Sequence, residues 1–140
     1  MIREAKAEDI NRVNEIGLLI KDDFANVYKL EDTFNQDYSH ILVYDENGIK
    51  GFLQYEDHFE ITDIINIAVD KNNQHEGIGY KLIEYLIKNT NADKIMLEVR
   101  DDNQNAISLY NKCGFVEIHR RVKYYGDVDA IIMERMIEHV

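Results

Sequence analysis

The chain has no proline and no tryptophan, a single cysteine, and no apolar stretch long enough to cross a bilayer. One cysteine, Cys113, excludes an internal disulfide and a metal site built from clustered thiolates. The 140 residues also contain no low-complexity run and no repeat of fixed period. Because no segment resembles a linker, we expect one domain over residues 1–140.

Basic residues are scarce as well: 16 Lys and Arg stand against 27 Asp and Glu, which gives a net charge of −11. Such a surface repels phosphate backbones and anionic membranes and mildly favours a cationic partner such as an amine, although acidic residues also serve plain solubility. The start, MIREAKAEDI, lacks the basic and apolar regions of a signal peptide. We therefore expect a cytoplasmic protein that binds neither nucleic acid nor membrane, as a monomer or a homodimer.

Hydrophobic periodicity predicts a chain in which strands and helices are interspersed. Strands are predicted at 1–5, 40–44, 49–57, 59–69, 94–100, 115–125 and 129–137, and helices near 9–20, 22–38, 77–88 and 103–112. Strands joined by tight turns should be antiparallel, and strands joined through helices should be parallel. The predicted fold is therefore α/β, with a central mixed sheet of about seven strands flanked by about four helices.

The stretch VDKNNQHEGIGYKLIEYLI, residues 69–87, places Gly77 and Gly79 between an apolar strand and an amphipathic helix. A glycine turn before a helix offers unpaired N–H groups and the positive end of the helix dipole, which together favour a phosphate. The Gly-Lys-Ser/Thr end of a nucleotide P-loop is absent, and position 82, where a dinucleotide fingerprint needs glycine, is Leu82. Taken alone, the turn is more simply an ordinary tight turn.

Three ordered motifs resemble the GNAT acyltransferases. NIAVDKNNQHEGIGYKLI is similar to the family's acetyl-CoA signature, in which Gln or Arg is followed after two residues by Gly and after one more by Gly or Ala; Gln74, Gly77 and Gly79 match. LEVRDDNQNAISLYNKCGF (97–115) and RRVKYYGDVDAIIM (120–133) resemble later parts of the conserved core. The run 66–133 most resembles the RimI group, which acetylates protein N-termini, especially that of a small-subunit ribosomal protein. The resemblance implies the GNAT fold, acetyl-CoA as co-substrate and no metal.

The resemblance also implies which residues bind the cofactor. The backbone of Ile67, Ala68 and Val69 would bind the pantetheine arm in a gap between two strands, and Asn103 matches an asparagine that contacts the cofactor. The signature and the N–H groups that follow it would hold the pyrophosphate, a set made of Gln74, His75, Glu76, Gly77, Ile78, Gly79 and Tyr80.

Two residues match the catalytic groups of the RimI type. Glu98 corresponds to the general base, acting directly or through water, and Tyr110 to the general acid at the thioester sulfur. Strand alternation places Glu98 on one face with Met96 and Arg100, so an ion pair with Arg100 or a nearby lysine is the structural alternative. The spacing of Tyr110 fits a core tyrosine equally well. Cys113, without an evident base, is expected to pack and not to carry an acetyl group.

The chain departs from the pattern in two places. Glu76 stands where relatives tend to carry a basic or neutral residue, and FANVYKLEDTFNQ (24–36) replaces the Pro-Trp segment that shapes the RimI peptide site. Tyr124 and Tyr125 match a tyrosine pair bordering the acceptor site, or pack as aromatics. The expected reaction is acetyl transfer to a protein N-terminus. The alternative acceptor is a small amine, such as a polyamine or an aminoglycoside. A CoA-binding module without catalysis is the third interpretation.

Overall fold

The structure is a computed structural model that describes residues 1–139. Within these residues the chain forms seven strands, β1 (Ile2–Glu4), β2 (Ser39–Asp45), β3 (Ile49–His58), β4 (Ile61–Val69), β5 (Lys94–Arg100), β6 (Val116–Tyr125) and β7 (Val128–Met136). The α-helices are α1 (Ile10–Gly17), α2 (Phe24–Tyr28), α3 (Ile78–Asn89) and α4 (Gln104–Lys112). The strands form one sheet in the order β1-β2-β3-β4-β5-β7-β6, in which β4 and β5 are parallel and the other neighbours antiparallel. The predicted mixed sheet is confirmed.

Apolar side chains cover both faces of the sheet. On one face, which we call the α3 face, Leu53 and Ile95 pack with Leu82 and Ile83 of α3. On the other, the α1 face, a second core joins the sheet to the first two helices through Val13, Phe24, Val43 and Phe52. The two layers of burial explain why the central strands are nearly continuous apolar runs.

The sheet opens between β4 and β5. Their pairing is limited to Ile61↔Lys94, Thr62↔Ile95 and Asp63↔Met96. By contrast, β4 stays paired with β3 as far as Val69, and β5 stays paired with β7 as far as Arg100. The two strands therefore separate beyond residue 63 of β4, and we call the space between them the gap.

A β-bulge lies where the gap begins. Gln54 is opposite Asn66 and Tyr55 is opposite Ile64, so Ile65 is an extra residue in β4. A bulge bends its strand and increases the local twist, which turns β4 away from β5. Ile65 itself is 36% exposed.

The first two helices are shorter than the periodicity predicted. α1 ends at Gly17, where an added Cβ would overlap the Phe24 ring, and the following residues 18–20 are exposed. The predicted helix over 22–38 is divided: α2 is followed by Lys29, which has φ +45°, and then by a 3₁₀ helix, Leu30–Asn35. A residue with a left-handed backbone cannot continue a right-handed helix, so the segment divides at Lys29. Phe24 and Leu30, one in each short segment, are both buried.

Residues with positive φ mark two ends of regular elements. The turn between β2 and β3 contains Asn47 and Gly48, both with positive φ, as a tight hairpin turn requires. Gly114 ends α4 with φ +90°. Two antiparallel strands, β6 and β7, close the described chain. Over residues 1–139 no helix combines the length and the apolar character that crossing a bilayer needs.

Candidate active site

The loop after β4 is fixed to the first helix. Asp70 accepts a hydrogen bond at 2.7 Å from the Arg12 guanidinium, which also donates to the Ile49 carbonyl at 3.1 Å. The bond from Arg12 is the main reason that the pKa of Asp70 lies below its usual range. Asp70 also caps the short 3₁₀ turn that follows, through the N–H of Asn72. The chain therefore approaches α3 from an anchored position.

Gly77 opens the turn into α3. Its φ of +78° favours glycine, and an added Cβ would meet no atom within 4 Å, so the space beside it is open. The Lys81 N–H bonds to the Gly77 carbonyl at 3.0 Å. The first-turn N–H groups of Ile78, Gly79 and Tyr80 precede that bond and have no acceptor earlier in the helix. Open space and a helix N-terminus together have the form of the predicted phosphate cradle.

Gly79 is required for another reason. A Cβ at this position would lie 3.1 Å from Leu109 Cδ2 of α4. Its small size therefore leaves room for the Leu109 side chain beside the first turn of α3, a role that the phosphate interpretation of the sequence did not include. The two glycines of the signature have separate physical tasks.

The three residues before Gly77 are exposed, and two of them have side-chain partners nearby. Gln74 donates from its amide to the Val69 carbonyl at 3.3 Å, tying the loop to the end of β4. Glu76 accepts a hydrogen bond from Asn73 at 3.3 Å. His75 has φ +69°, an uncommon value outside glycine and asparagine. The Glu76 carboxylate, the departure noted in the sequence, lies in solvent beside Asn73.

The β4 side of the gap presents mainly backbone. Ile67, Ala68 and Val69 pair with β3, while their edge toward β5 has no strand partner among residues 1–139. An unpaired strand edge offers N–H and C=O groups in a fixed row. These are the residues expected to bind the pantetheine arm.

The β5 side of the gap presents side chains. Glu98 lies on the exposed side of β5, while its neighbours Leu97 and Val99 are buried. Its Oε2 accepts a hydrogen bond from the Tyr125 hydroxyl at 2.7 Å, and its Oε1 lies 3.8 Å from Arg121 Nη1. The carboxylate is thus oriented from two sides by residues of β6.

Arg100, the partner that the structural alternative proposed for Glu98, pairs instead with Asp102 at 3.0 Å. Its guanidinium lies 5.0 Å from the centre of the Tyr125 ring, so it packs on the tyrosine that bonds Glu98. Burial, and then the bond to Glu98, raise the pKa of Tyr125, which keeps its hydroxyl a neutral donor at pH 7. Arg100 contributes to this site through packing on Tyr125.

Tyr124 lies next to this group. Its ring meets that of Tyr125 edge to face, with centroids 5.1 Å apart, and Arg121 lies 5.3 Å from its centre. Tyr124 is 54% exposed. Both tyrosines predicted to border the acceptor site are therefore close to Glu98, and they also pack on each other, so the two interpretations of the pair are compatible.

Arg120, an arginine of β6 that the motifs did not single out, joins this strand to neighbouring carboxylates. Arg120 contacts Asp101 at 2.8 Å, Asp129 at 3.0 Å and Glu117 at 3.2 Å. Asp129 also accepts a hydrogen bond from the Lys123 N–H at 2.8 Å. Charged residues of β6, β7 and the loop after β5 are joined, which holds the segment that carries the tyrosine pair. The available signal was the pair of arginines with which the third motif, RRVKYYGDVDAIIM, begins.

α4 carries the remaining predicted residues. Asn103 caps the helix, its Oδ1 accepting from the Ala106 N–H at 3.2 Å. Tyr110 is buried in the core of the α3 face, with its ring centroid 5.9 Å from that of Phe115. Burial raises the pKa of Tyr110 to about 12 and that of Cys113 to about 11. A buried thiol with a raised pKa is a poor nucleophile, in agreement with the expected packing role of Cys113.

The Tyr110 hydroxyl is buried but not sealed. Within residues 1–139 it has no hydrogen-bond partner, and the one enclosed side-chain polar atom there without a partner is Asn14 Oδ1. The hydroxyl therefore retains contact with solvent-accessible space. A group at the surface of the core can both pack and meet a ligand.

Residues 7–115 match the family model described as the Acetyltransferase (GNAT) family. The chain belongs to the GNAT acetyltransferase family. The resemblance to this family drawn from the three motifs is thereby confirmed.

Individual relatives agree with this placement. The chain is 40% identical over 89 residues to the [ribosomal protein bS18]-alanine N-acetyltransferase of Escherichia coli K12, a match covering 54% of this chain and 60% of that protein. It is 26% identical over 152 residues to an N-alpha-acetyltransferase of Saccharolobus solfataricus, covering 96% and 91% of the two chains. The crystal structure of the E. coli ribosomal-protein-S18-alanine N-acetyltransferase superposes with a TM-score of 0.86 at 28% identity, covering 100% of this chain and 95% of that one.

The sequence matches to curated relatives are often partial. They span 60% of the E. coli enzyme and 21% of a Mycobacterium leprae protein, to which the chain is 39% identical over 75 residues. The shared part is about half of this GNAT chain, 54% and 52% in the two cases.

Proposed function

We propose that the chain transfers the acetyl group of acetyl-CoA to the N-terminal α-amino group of a protein. The observation that carries the proposal is the Glu98 carboxylate, bonded by the Tyr125 hydroxyl at 2.7 Å, on the side of the gap opposite the unpaired edge of β4. The N-acetyltransferase names of the relatives from E. coli and S. solfataricus support the same reaction. The site combines a place for the cofactor with a base for an amine.

The residues at the gap fit acetyl-CoA. The backbone edge of Ile67–Val69 can exchange hydrogen bonds with the amides of a pantetheine arm, and the open cradle at Gly77 suits a pyrophosphate. Asn103 stands at the start of α4 as a further polar contact. When bound, acetyl-CoA supplies a thioester, an acyl group activated for attack by an amine. Acetyl transfer then needs no covalent enzyme intermediate and no metal.

Glu98 is the proposed base. An acceptor amine enters as an ammonium and must lose a proton before it attacks, and Glu98 accepts that proton directly or through water. For an α-amino group with pKa about 8, deprotonation at pH 7 costs ~1.4 kcal/mol, against ~4.6 kcal/mol for a lysine amine near 10.4. One partly exposed carboxylate suits the smaller task better, so this difference in deprotonation cost supports a protein N-terminus over a lysine side chain.

Tyr110 is the proposed acid. With its pKa raised to about 12, its hydroxyl keeps its proton throughout the neutral range. A leaving thiolate has a pKa near that of cysteine, about 8.5, so a hydrogen bond from the tyrosine stabilises it without full transfer being required. The expected contribution is to turnover more than to cofactor affinity.

Two other functions compete. Acetylation of a small amine, such as a polyamine or an aminoglycoside, would use the same gap, and the net charge of −11 would attract either polycation. A non-catalytic CoA-binding module would need the cradle without the catalytic groups. The Glu98–Tyr125 bond and the presence of Tyr110 disfavour the module, because a binding module has no need of an oriented carboxylate.

An intact-mass assay separates the three functions. The chain is incubated with acetyl-CoA and one of four acceptors. These are a basic ribosomal N-terminal peptide, a version of that peptide with a blocked N-terminus and an internal lysine, spermidine, and an aminoglycoside. We expect a gain of one acetyl group on the free-N-terminal peptide alone, together with stoichiometric thiol release. Acetylation of spermidine or the aminoglycoside in preference to the peptide would establish the small-amine function. CoA binding without thiol release for any acceptor would establish the module.

A further inference from the structure

A pair of buried amides lies beside the gap. Gln54 of β3 and Asn66 of β4 face each other, and Asn66 Nδ2 donates to Gln54 Oε1 at 2.9 Å. The two residues are 4% and 6% exposed. Amides are costly to bury, and each needs more than one hydrogen bond to be satisfied. Two buried amides that face each other therefore need further hydrogen-bond partners.

The pair lies on the same face of the sheet as Glu98. Residues directly opposite each other in paired strands share a face, as do residues two apart along a strand. Gln54 therefore shares its face with Glu56, and Glu56 with Asp63, which is opposite it in β4. Asp63 in turn shares that face with Met96, opposite it in β5, and Met96 with Glu98.

The bulge places the pair at the right level. Asn66 lies three residues beyond Asp63, the last β4 residue paired with β5, and it directly follows the extra residue Ile65. It therefore stands where the gap has opened. Asn66 therefore lies on the β4 side of the gap and Glu98 on the β5 side, while Gln54 lies one strand further back, in β3.

The bond between the two amides leaves hydrogen-bonding capacity free. In either orientation of the two side chains, the bonded pair retains one oxygen acceptor and N–H donors. Among residues 1–139 these atoms have no further partner, and they are not among the enclosed unpartnered atoms, so they reach accessible space. The pair therefore presents a neutral donor and a neutral acceptor side by side on the face that carries Glu98.

We propose that the Gln54–Asn66 pair recognises the first peptide bond of the acceptor. The free oxygen of the pair accepts from the N–H of the acceptor's second residue, while the carbonyl of the same trans peptide unit points the opposite way. One residue of extended chain spans about 3.3–3.6 Å, so an acceptor whose amine lies at Glu98 can extend its first peptide unit from β5 toward the β4 side of the gap. A polyamine has no such unit to offer. This inference rests on the proposed function, because it names the group that distinguishes a peptide N-terminus from another amine.

A matched pair of acceptors tests the proposal. One is the tetrapeptide used as substrate, and the other is its depsipeptide, in which an ester oxygen replaces the N–H of the first peptide bond. Both keep the same α-amine and side chains. We expect wild type to prefer the peptide by ~10-fold in kcat/KM, because the ester leaves a buried acceptor unpaired. Asn66→Leu should reduce that preference to about twofold or less, and Gln54→Met should also weaken it.

Thr62→Val is the control variant, since Thr62 is buried in the same strand but bonds Thr90 on the α3 face. It should keep the wild-type ratio. The ratio compares two acceptors on one enzyme, so a general loss of activity in a variant cancels.

An equal rate of wild type on peptide and depsipeptide, which requires no variant to fold, would overturn the proposal. An unchanged preference in both Asn66→Leu and Gln54→Met would overturn it as well. Failure of the proposed function has another signature: wild type would then acetylate neither acceptor while still acetylating a small amine, and the role of the pair would be rejected with it.

Discussion

The two sides of the gap are built from different materials. The β4 side offers an unpaired backbone edge and a glycine turn, whereas the β5 side offers a carboxylate oriented by a tyrosine and an arginine. A site made of backbone groups tolerates most side chains and depends on backbone conformation. On the cofactor part of the β4 side, the residue type that this conformation requires is the glycine at Gly77. A side-chain site depends on particular atoms. Substitutions on the β5 side should therefore affect the reaction, and those on the β4 side should affect binding and folding.

Glu98→Gln should have the largest effect. The amide keeps the size of the side chain and can still accept from Tyr125, but it cannot take the proton from an ammonium. We expect kcat/KM for a peptide to fall ~10²–10⁴-fold, with the KM for acetyl-CoA nearly unchanged. Asp102→Asn, which removes an exposed carboxylate bonded to Arg100 at the end of the same strand, is the control and should stay near wild type. A Gln variant within about twofold of wild type would exclude Glu98 as the base.

Tyr110→Phe should have the second largest effect. We expect turnover to fall by roughly 10-fold or more while acetyl-CoA affinity changes little, because the lost hydrogen bond forms chiefly to the leaving sulfur. Tyr55→Phe is the control: burial raises the pKa of Tyr55 to about 12 as well, yet its ring stacks on His40 of β2, which β3 separates from the gap. Equal turnover in the Tyr110→Phe variant and wild type would remove Tyr110 from the mechanism.

The raised pKa of Tyr110 gives the same test a pH dimension. The hydroxyl keeps its proton below its pKa of about 12 and loses it only as pH rises through that value. Wild-type turnover should therefore show no decline attributable to Tyr110 up to about pH 10. A decline between pH 8 and 10 that is absent from Tyr110→Phe would agree with an acid role for Tyr110 but contradict its raised pKa.

The two glycines of the signature should differ in their effect on CoA binding. In Gly79→Ala the new methyl meets Leu109, and such overpacking typically costs ~1–3 kcal/mol of unfolding free energy. Gly77→Ala has open space but a left-handed backbone, at a cost of ~1–2 kcal/mol, and it also narrows the cradle. Urea unfolding and CoA titration of both variants should show weaker CoA binding for Gly77→Ala at comparable stability. Equal CoA affinity of the two variants would argue that Gly77 does not line the phosphate site.

Glu76→Arg should have the smallest effect, and in the opposite direction. Replacing an exposed negative charge by a positive one near the cradle should tighten CoA binding about two- to fivefold at low salt, and the gain should vanish near 1 M salt. Glu8→Arg makes the same charge change at an exposed residue in the first 3₁₀ turn and should alter the Kd less. An unchanged dissociation constant at low salt would refute the idea that Glu76 weakens the site.

Much of this architecture was predictable because its residues are ordered by local rules. Alternating and helical apolar spacing predicted every strand and the helices α3 and α4, since these elements bury regular stripes. The region 22–38 was mispredicted because its buried residues, Phe24, Leu30 and Thr33, do not keep one helical face. Their positions depend on α1 and the sheet, which no local pattern describes.

The cofactor side was more predictable than the acceptor side for a related reason. A phosphate cradle lies within one short segment, so its glycines stand together in the sequence. The partners of Glu98 come from β6, 23 and 27 residues later, and Arg120 joins three carboxylates from separate elements. The Gln54–Asn66 pair spans two strands, and the one available signal was a polar residue inside the apolar run IINIAV.

The junction between β4 and β5 has a mechanical consequence. Three residue pairs join a four-strand half of the sheet to a three-strand half, so the halves share few hydrogen bonds across their boundary. A molecule bound in the gap would supply hydrogen bonds that β4 and β5 do not make to each other there, and it would join the two halves into one cooperative unit. Hydrogen–deuterium exchange should then slow at residues 64–69 of β4 when CoA is added. The CoA-bound protein should unfold in one cooperative transition, whereas the free protein should open first at the boundary between β4 and β5.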